Sequence, residues 1–96
     1  MALEKLVSVC INAYNSADVI GETLESVLNQ TYKNLQIIIV DDCSTDNTAE
    51  IVKSYDDDRI ELYTLPKNFN ISNANNECLH RAKGEYIAHI DSDDIW

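Results

Sequence analysis

The sequence contains only two glycines, Gly21 and Gly84, and a single proline in its 96 residues. Loops that cradle phosphate through backbone amides need several glycines within a short span. A P-loop, a dinucleotide fingerprint and the glycine-rich signature of sugar nucleotidyltransferases are therefore all excluded. Basic residues are scarce too, with 7 Lys and Arg against 17 Asp and Glu, giving a net charge of −10. That balance argues against nucleic acid or an anionic membrane surface as a partner. No long hydrophobic run is present: the nearest candidate, residues 35–40, is far short of the ~20 residues that cross a bilayer. Residues 1–5 lack the basic-then-apolar layout of a secretory signal. Cys10, Cys43 and Cys78 are odd in number and widely spaced, with no C-x-x-C pair. This speaks against a zinc site or a disulfide framework and predicts reduced thiols, packed as small residues in a cytoplasmic protein.

What is present is a regular alternation of short apolar runs and amphipathic segments. Residues 6–11 and 35–40 are apolar on both faces, as central strands of a parallel sheet are. Residues 59–63 alternate, which suits an edge strand, and residues 86–90 form a fourth strand. Helices are predicted over about 17–29, with a stripe of Val19, Ile20, Leu24, Val27 and Leu28, and over about 48–55, with Ile51 and Val52 inward. A third helix, capped by Ser72 or Asn73, has the stripe Ala74, Cys78, Leu79 and Ala82 and is stopped by Lys83-Gly84. The acidic run 56–58 reads as a solvated turn. The order β-α-β-α-β-α-β, with long crossovers and no hairpin signal, predicts one α/β domain with a parallel sheet.

In such sheets ligands bind beyond the carboxyl ends of the strands, where the strand order reverses. Three groups fall there: residues 12–15 after the first strand, Asp41-Asp42 after the second, and Asp91-Ser92-Asp93-Asp94 after the fourth. The last group places three carboxylates within four residues. Like charges so crowded at a strand end are costly unless a cation neutralises them. Hard divalent ions such as Mg²⁺ and Mn²⁺ take oxygen ligands of this kind together with substrate phosphates. A D-x-D alone is more often an acidic turn before a helix, Tyr14 alone more often a packing aromatic, and Asp46 alone more often a helix cap. Their shared placement is what points to a phosphate-bearing ligand held by metal.

Val7-Ser8-Val9-Cys10-Ile11-Asn12-Ala13-Tyr14-Asn15, Gln30-Thr31-Tyr32, Ile39-Val40-Asp41-Asp42-Cys43-Ser44-Thr45-Asp46-Asn47-Thr48 and Gly84-Glu85-Tyr86-Ile87-Ala88-His89-Ile90-Asp91-Ser92-Asp93-Asp94 resemble the family-two glycosyltransferases in order and spacing. The resemblance covers essentially the whole chain. It implies the A-type fold, a three-layer Rossmann-like α/β parallel sheet with helices on both faces, of the spore-coat-polysaccharide-synthesis-like nucleotide-diphospho-sugar transferase kind, here truncated. Residues 1–96 would be one nucleotide-sugar-binding subdomain, the N-terminal, donor-binding part of an inverting enzyme of polysaccharide biosynthesis.

By position, the resemblance implies that Asn12, Ala13 and Tyr14 line a nucleobase pocket, with Tyr14 against the base and Asp42 hydrogen-bonded to it. Asp91 would contact ribose or metal, Ser92 would lie beside them, and Asp93 would ligate the Mn²⁺ or Mg²⁺ of this DXD motif. The donor would be a nucleoside-diphosphate sugar, a UDP-sugar by analogy, and the acceptor a saccharide or lipid-linked hydroxyl. The general base and acceptor site are expected beyond Trp96, so no catalytic residue is assigned within the chain. A fragment of this kind is expected to be inactive alone and to self-associate through an exposed edge.

Four positions depart from the family pattern. Asn12 stands for a usual proline, Asn70 for a glycine, Asn75 for an arginine, and His89 for a large apolar residue. His89 reads as a histidine satisfied by a local hydrogen bond in or near the core. A phosphoacceptor signalling domain fits poorly, since residues 12–15 and 64–66 occupy the places of its acidic pair and phosphorylated aspartate. A non-catalytic interaction module that kept the fold remains the alternative.

Overall fold

A computed structural model describes residues 5–30, 32–42, 44–65 and 71–91; for 71–75 and 91 it describes the backbone alone. Four strands, β1 (Val7–Ala13), β2 (Leu35–Asp41), β3 (Ile60–Thr64) and β4 (Tyr86–Asp91), alternate with helices α1 (Ile20–Leu28), α2 (Thr48–Lys53) and α3 (Ile71–Arg81). The strands form one parallel sheet in the order β3-β2-β1-β4. The chain thus steps outward from β1 to β3, then crosses back through α3 to pair β4 with the far side of β1. The order reverses between β1 and β4.

Alternation along the strands splits the core into two layers. Val9, Ile11, Ala13, Ile37, Ile39 and Ile90 face α1 and α2, where Ile20, Leu24, Val27 and Val52 complete the larger cluster. Cys10, Ile38 and Val40 face the opposite way and pack with Cys78 of α3. All seven residues of β2 are buried, which explains its nearly unbroken apolar run: it is covered on both faces. β3 is half-exposed at one edge, as its alternation predicts. β4 forms the other edge, with Tyr86 59% and Ile87 43% exposed.

Several expectations are corrected. Cys10 and Cys78 are joined in a disulfide across 68 residues, with their Cα atoms 5.8 Å apart. Sequence spacing offered no such pair, because packing α3 on β1 is what brings the two together. The reduced-thiol argument for a cytoplasmic setting therefore falls away for these two cysteines. Leu79, assigned to the inward stripe of α3, is 47% exposed, whereas its stripe neighbour Cys78 is fully buried as expected. His89 is exposed on the edge strand rather than in or near the core. Asp57 is not simply solvated: it accepts hydrogen bonds from the Arg59 amide (2.9 Å) and guanidinium (2.9 and 3.0 Å). That contact lowers the Asp57 carboxyl pKa and raises that of Arg59. Asn70 and the side chain of Asn75 lie outside the described residues.

The amino ends of the strands are closed by a buried polar network. The Ser8 hydroxyl donates to Gln36 Oε1 (2.7 Å), which also accepts from the Lys83 amide (2.8 Å). Gln36 Nε2 donates to Glu61 (3.0 Å) and to the Arg81 carbonyl (3.1 Å). The Gly84 amide donates to Ser8 Oγ (2.8 Å). A Cβ on Gly84 would sit 2.7 Å from both the Leu6 carbonyl oxygen and the Ser8 nitrogen. Gly84 is required here by close backbone approach and not by a left-handed turn, since no glycine has positive φ.

Candidate functional site

The sheet register fixes what meets at the carboxyl ends. Ala13 pairs with Asp41, Asn12 lies between Val40 and Asp91, and Asp41 pairs with Thr64. One step further, the Asp42 amide donates to the Ala13 carbonyl (2.8 Å). Tyr14 and Asp42 are consequently the first residues to leave adjacent strands on the same rim. Tyr14 is 47% exposed, whereas Asp42 is buried at 7%. Asn12 is half-buried and Ala13 buried. The backbone of Asp91 ends β4 beside Asn12, while its side chain, Ser92 and Asp93 lie outside the described residues. Among the described residues, no group of three or more His, Cys, Asp or Glu is placed to hold a metal ion.

Past the last strand pair, the β1–α1 and β2–α2 loops are tied to each other. Asn15 has φ 48°, in the left-handed region that asparagine enters more readily than most residues. Its Oδ1 accepts from the Thr45 amide (2.7 Å) and hydroxyl (3.2 Å), while its own amide donates to Ser44 Oγ (2.9 Å). The Ser16 amide donates to Thr48 Oγ1 (2.9 Å), and the Ala17 amide to Asp46 Oδ2 (3.2 Å). Asp46 Oδ1 also accepts from the amide of Thr48 (3.0 Å) and from its hydroxyl. The Thr48 hydroxyl, followed by the Thr48 and Ala17 amides, holds the Asp46 carboxyl below its ordinary pKa of 3.8. Asp41 is buried within its own loop, accepting from the amide and hydroxyl of Ser44.

The sequence marked Asn12, Ala13, Tyr14 and Asp42, and these share one rim. It counted Asn15 only as one of the 12–15 group and did not mark Ser16, Ser44 and Thr48; these four residues join the two loops. Their signal was the density of Asn, Ser, Thr and Asp after two adjacent parallel strands, which reads equally as helix capping. The caps themselves differ from that reading. α1 has Val19 as its N-cap with no side-chain cap bond, and the Val19 and Ile20 amides donate to the Ser16 carbonyl. The Ser16 hydroxyl instead donates to the Tyr14 carbonyl (3.2 Å).

Known proteins share both the sequence and the geometry. The profile of Glycosyl transferase family 2 matches residues 8–96. The chain is 49% identical over 94 residues to the Escherichia coli UDP-Glc:alpha-D-GlcNAc-diphosphoundecaprenol beta-1,3-glucosyltransferase WfaP. That match covers 96% of this chain but 37% of WfaP, so the chain spans little more than a third of its relative's length. The structure of S. aureus TarS 1-349 in complex with UDP-GlcNAc superposes with a TM-score of 0.85 at 34% identity, over 93% of this chain and 27% of that one. The Pyrobaculum calidifontis mannosyltransferase PcManGT, in complex with GDP-Man and Mn²⁺, superposes with a TM-score of 0.87 at 30% identity, over 94% of this chain and 28% of that one. The fold is the A-type glycosyltransferase fold, and the chain belongs to glycosyl transferase family 2.

Proposed function

We propose that the chain is the donor-binding portion of an inverting glycosyltransferase that takes a nucleoside-diphosphate sugar, a UDP-sugar first among them. The observation that carries this reading is the meeting of Tyr14 and Asp42 at the carboxyl ends of two adjacent strands, beside the point where strand order reverses. An exposed ring beside a buried carboxylate suits a nucleobase, which stacks on the one and donates an N–H to the other. The names and ligands of WfaP and TarS support uridine, and the GDP-Man of PcManGT supports the nucleotide-sugar class more broadly.

Asp91 and Asp93, with Ser92 between them, supply the hard oxygen donors that Mg²⁺ or Mn²⁺ favours, and β4 ends at this rim beside Asn12. A divalent ion bound there would offset the diphosphate charge and the charge that develops as the sugar–phosphate bond breaks. The Mn²⁺ of PcManGT supports that assignment. The general base and the acceptor site, for a saccharide or lipid-linked hydroxyl, belong to the part of the relatives' length not spanned here. The 96 residues alone are then a binder and not a catalyst; sugar transfer by the purified chain would overturn this.

Calorimetric titration of UDP with and without Mn²⁺ tests the reading. Binding that needs the metal and is lost in Asp93→Asn is the expected result. A chain that binds no nucleoside diphosphate under either condition is instead the fold-keeping interaction module. The outer edge of β4, with Tyr86 and Ile87 exposed, is the surface proposed for self-association. Sedimentation that stays monomeric as concentration rises would remove it.

A further inference from the structure

The β1–β2 hydrogen-bond ladder ends at Ala13 and Asp42, yet cross-chain bonding continues for several residues beyond it. Asn15 meets Ser44 and Thr45, Ser16 meets Thr48, and Ala17 meets Asp46. The bonding is reciprocal. The first loop offers the Asn15 side chain to backbone of the second, and the second offers Ser44, Asp46 and Thr48 side chains to backbone of the first. Asn15, Thr45 and Asp46 are exposed, so these contacts bury little apolar surface and add little to the core. What they fix is the path of the chain directly after Tyr14 and directly after Asp42. Asn15 keeps a left-handed backbone one residue from Tyr14, a conformation that persists where surrounding contacts over-determine it.

We infer that Asn15 and Asp46 are positioning residues for donor binding: by clasping the β1–α1 loop to the β2–α2 loop they set the gap between the Tyr14 ring and the Asp42 carboxylate. Neither residue need touch the nucleotide. Asp46 acts as the hub, joining Ala17 of one loop to Thr48 at the start of α2. Its ionised form is the one that accepts all three bonds, in keeping with its lowered pKa. Asn15 closes the other end of the clasp. The inference rests on the donor-binding reading for its consequence, while the clasp itself is testable without it.

The test uses the whole chain and three variants: Asp46→Ala, Asp46→Asn and Asn15→Gly. The last retains access to positive φ while removing the acceptor oxygen, and Asp46→Asn retains a carbonyl oxygen facing Thr48. In calorimetry with UDP and Mn²⁺, Asp46→Ala and Asn15→Gly should each raise Kd about tenfold, with Asp46→Asn recovering most of the loss. Backbone amide hydrogen exchange is followed in parallel. Asp46→Ala should speed exchange at Asn15, Ala17 and Thr45 together, leaving the β1 and β2 amides unchanged. A folded Asp46→Ala chain with wild-type Kd overturns the inference, as does wild-type protection of the loop amides in that variant. If the wild-type chain binds no UDP, the donor-binding reading fails, and the exchange measurement still decides whether the clasp holds the rim. Should Asp46→Ala fail to fold, Asn15→Gly carries the same two measurements.

Discussion

The two ends of this sheet are each joined by polar side chains bonded to one another and to backbone amides, and put them to opposite use. At the amino ends, Ser8, Gln36 and the Lys83–Gly84 amides form a closed network under α3, and Ser8 and Gln36 are buried. At the carboxyl ends, Asn15, Ser44, Thr45 and Asp46 join two exposed loops around a half-exposed Tyr14. A buried network is demanding, since each donor it strands there costs about 1–3 kcal/mol. An exposed clasp is forgiving, because water replaces what a substitution removes. The amino end therefore carries stability and the carboxyl end carries geometry, and substitutions should separate the two.

The sharpest separation is expected from Gln36→Leu. It strands the Lys83 amide and removes the acceptor of the Ser8 hydroxyl, each worth about 1–3 kcal/mol. Chemical denaturation should show the largest stability loss of the series, with no separate defect in UDP binding while the chain stays folded. A loss below about 0.5 kcal/mol would mean the amino end is not the stabilising one. Gly84→Ala comes next. Its Cβ meets backbone atoms of Leu6 and Ser8 that cannot rotate away, and overpacking of this kind costs about 1–3 kcal/mol. A Gly84→Ala chain as stable as wild type would show that the turn relaxes freely.

Tyr14→Ala is the mirror case at the other end. Stability should change by less than about 0.5 kcal/mol, as for a surface site. UDP affinity should fall by about 1–3 kcal/mol, the usual worth of one stacked base. A variant that loses stability but keeps its affinity would invert the comparison and make Tyr14 a packing residue.

Legibility in the sequence followed the same division. The alternation of apolar runs gave the element order, the parallel sheet and the edge position of β3. The carboxyl ends of such strands placed residues 12–15 and Asp41-Asp42 on one rim. The strand order β3-β2-β1-β4 and its register came only with the fold. Polar residues inside apolar runs were harder. Ser8 and Gln36 drew no notice, since they meet across the β1–β2 pairing 28 residues apart and the Lys83 amide reaches Gln36 from 47 residues away, after α3. The Cys10–Cys78 disulfide and the outward turn of Leu79 depend on how α3 packs, and the exposure of His89 on β4 being an edge strand. The loop clasp was hidden for another reason. Asn, Ser, Thr and Asp after a strand serve helix caps and cross-loop ties with the same atoms, and sequence spacing does not tell one from the other.

The smallest effect is expected from acid, and it distinguishes the two ends by residue. Asp46 at the carboxyl end and Asp57 at the amino end both have carboxyls lowered in the folded state, by the Thr48 hydroxyl and by Arg59 respectively. A depressed folded pKa stabilises the fold fully above the unfolded value and stops doing so as pH falls through the folded one. Between pH 7 and about 5 neither contribution changes; both fade below the ordinary 3.8. Asp46 is exposed, so its share of global stability is small and a local readout is needed. In an amide titration from pH 6 to 2, the Ala17 and Thr48 signals should inflect below 3.8, and Asp46→Asn should abolish that inflection while leaving the one at the Arg59 amide. An inflection at or above 3.8 for Ala17 would mean that Asp46 is not held ionised by its clasp. The carboxyl-end loops would then be joined by the alcohols and Asn15 alone.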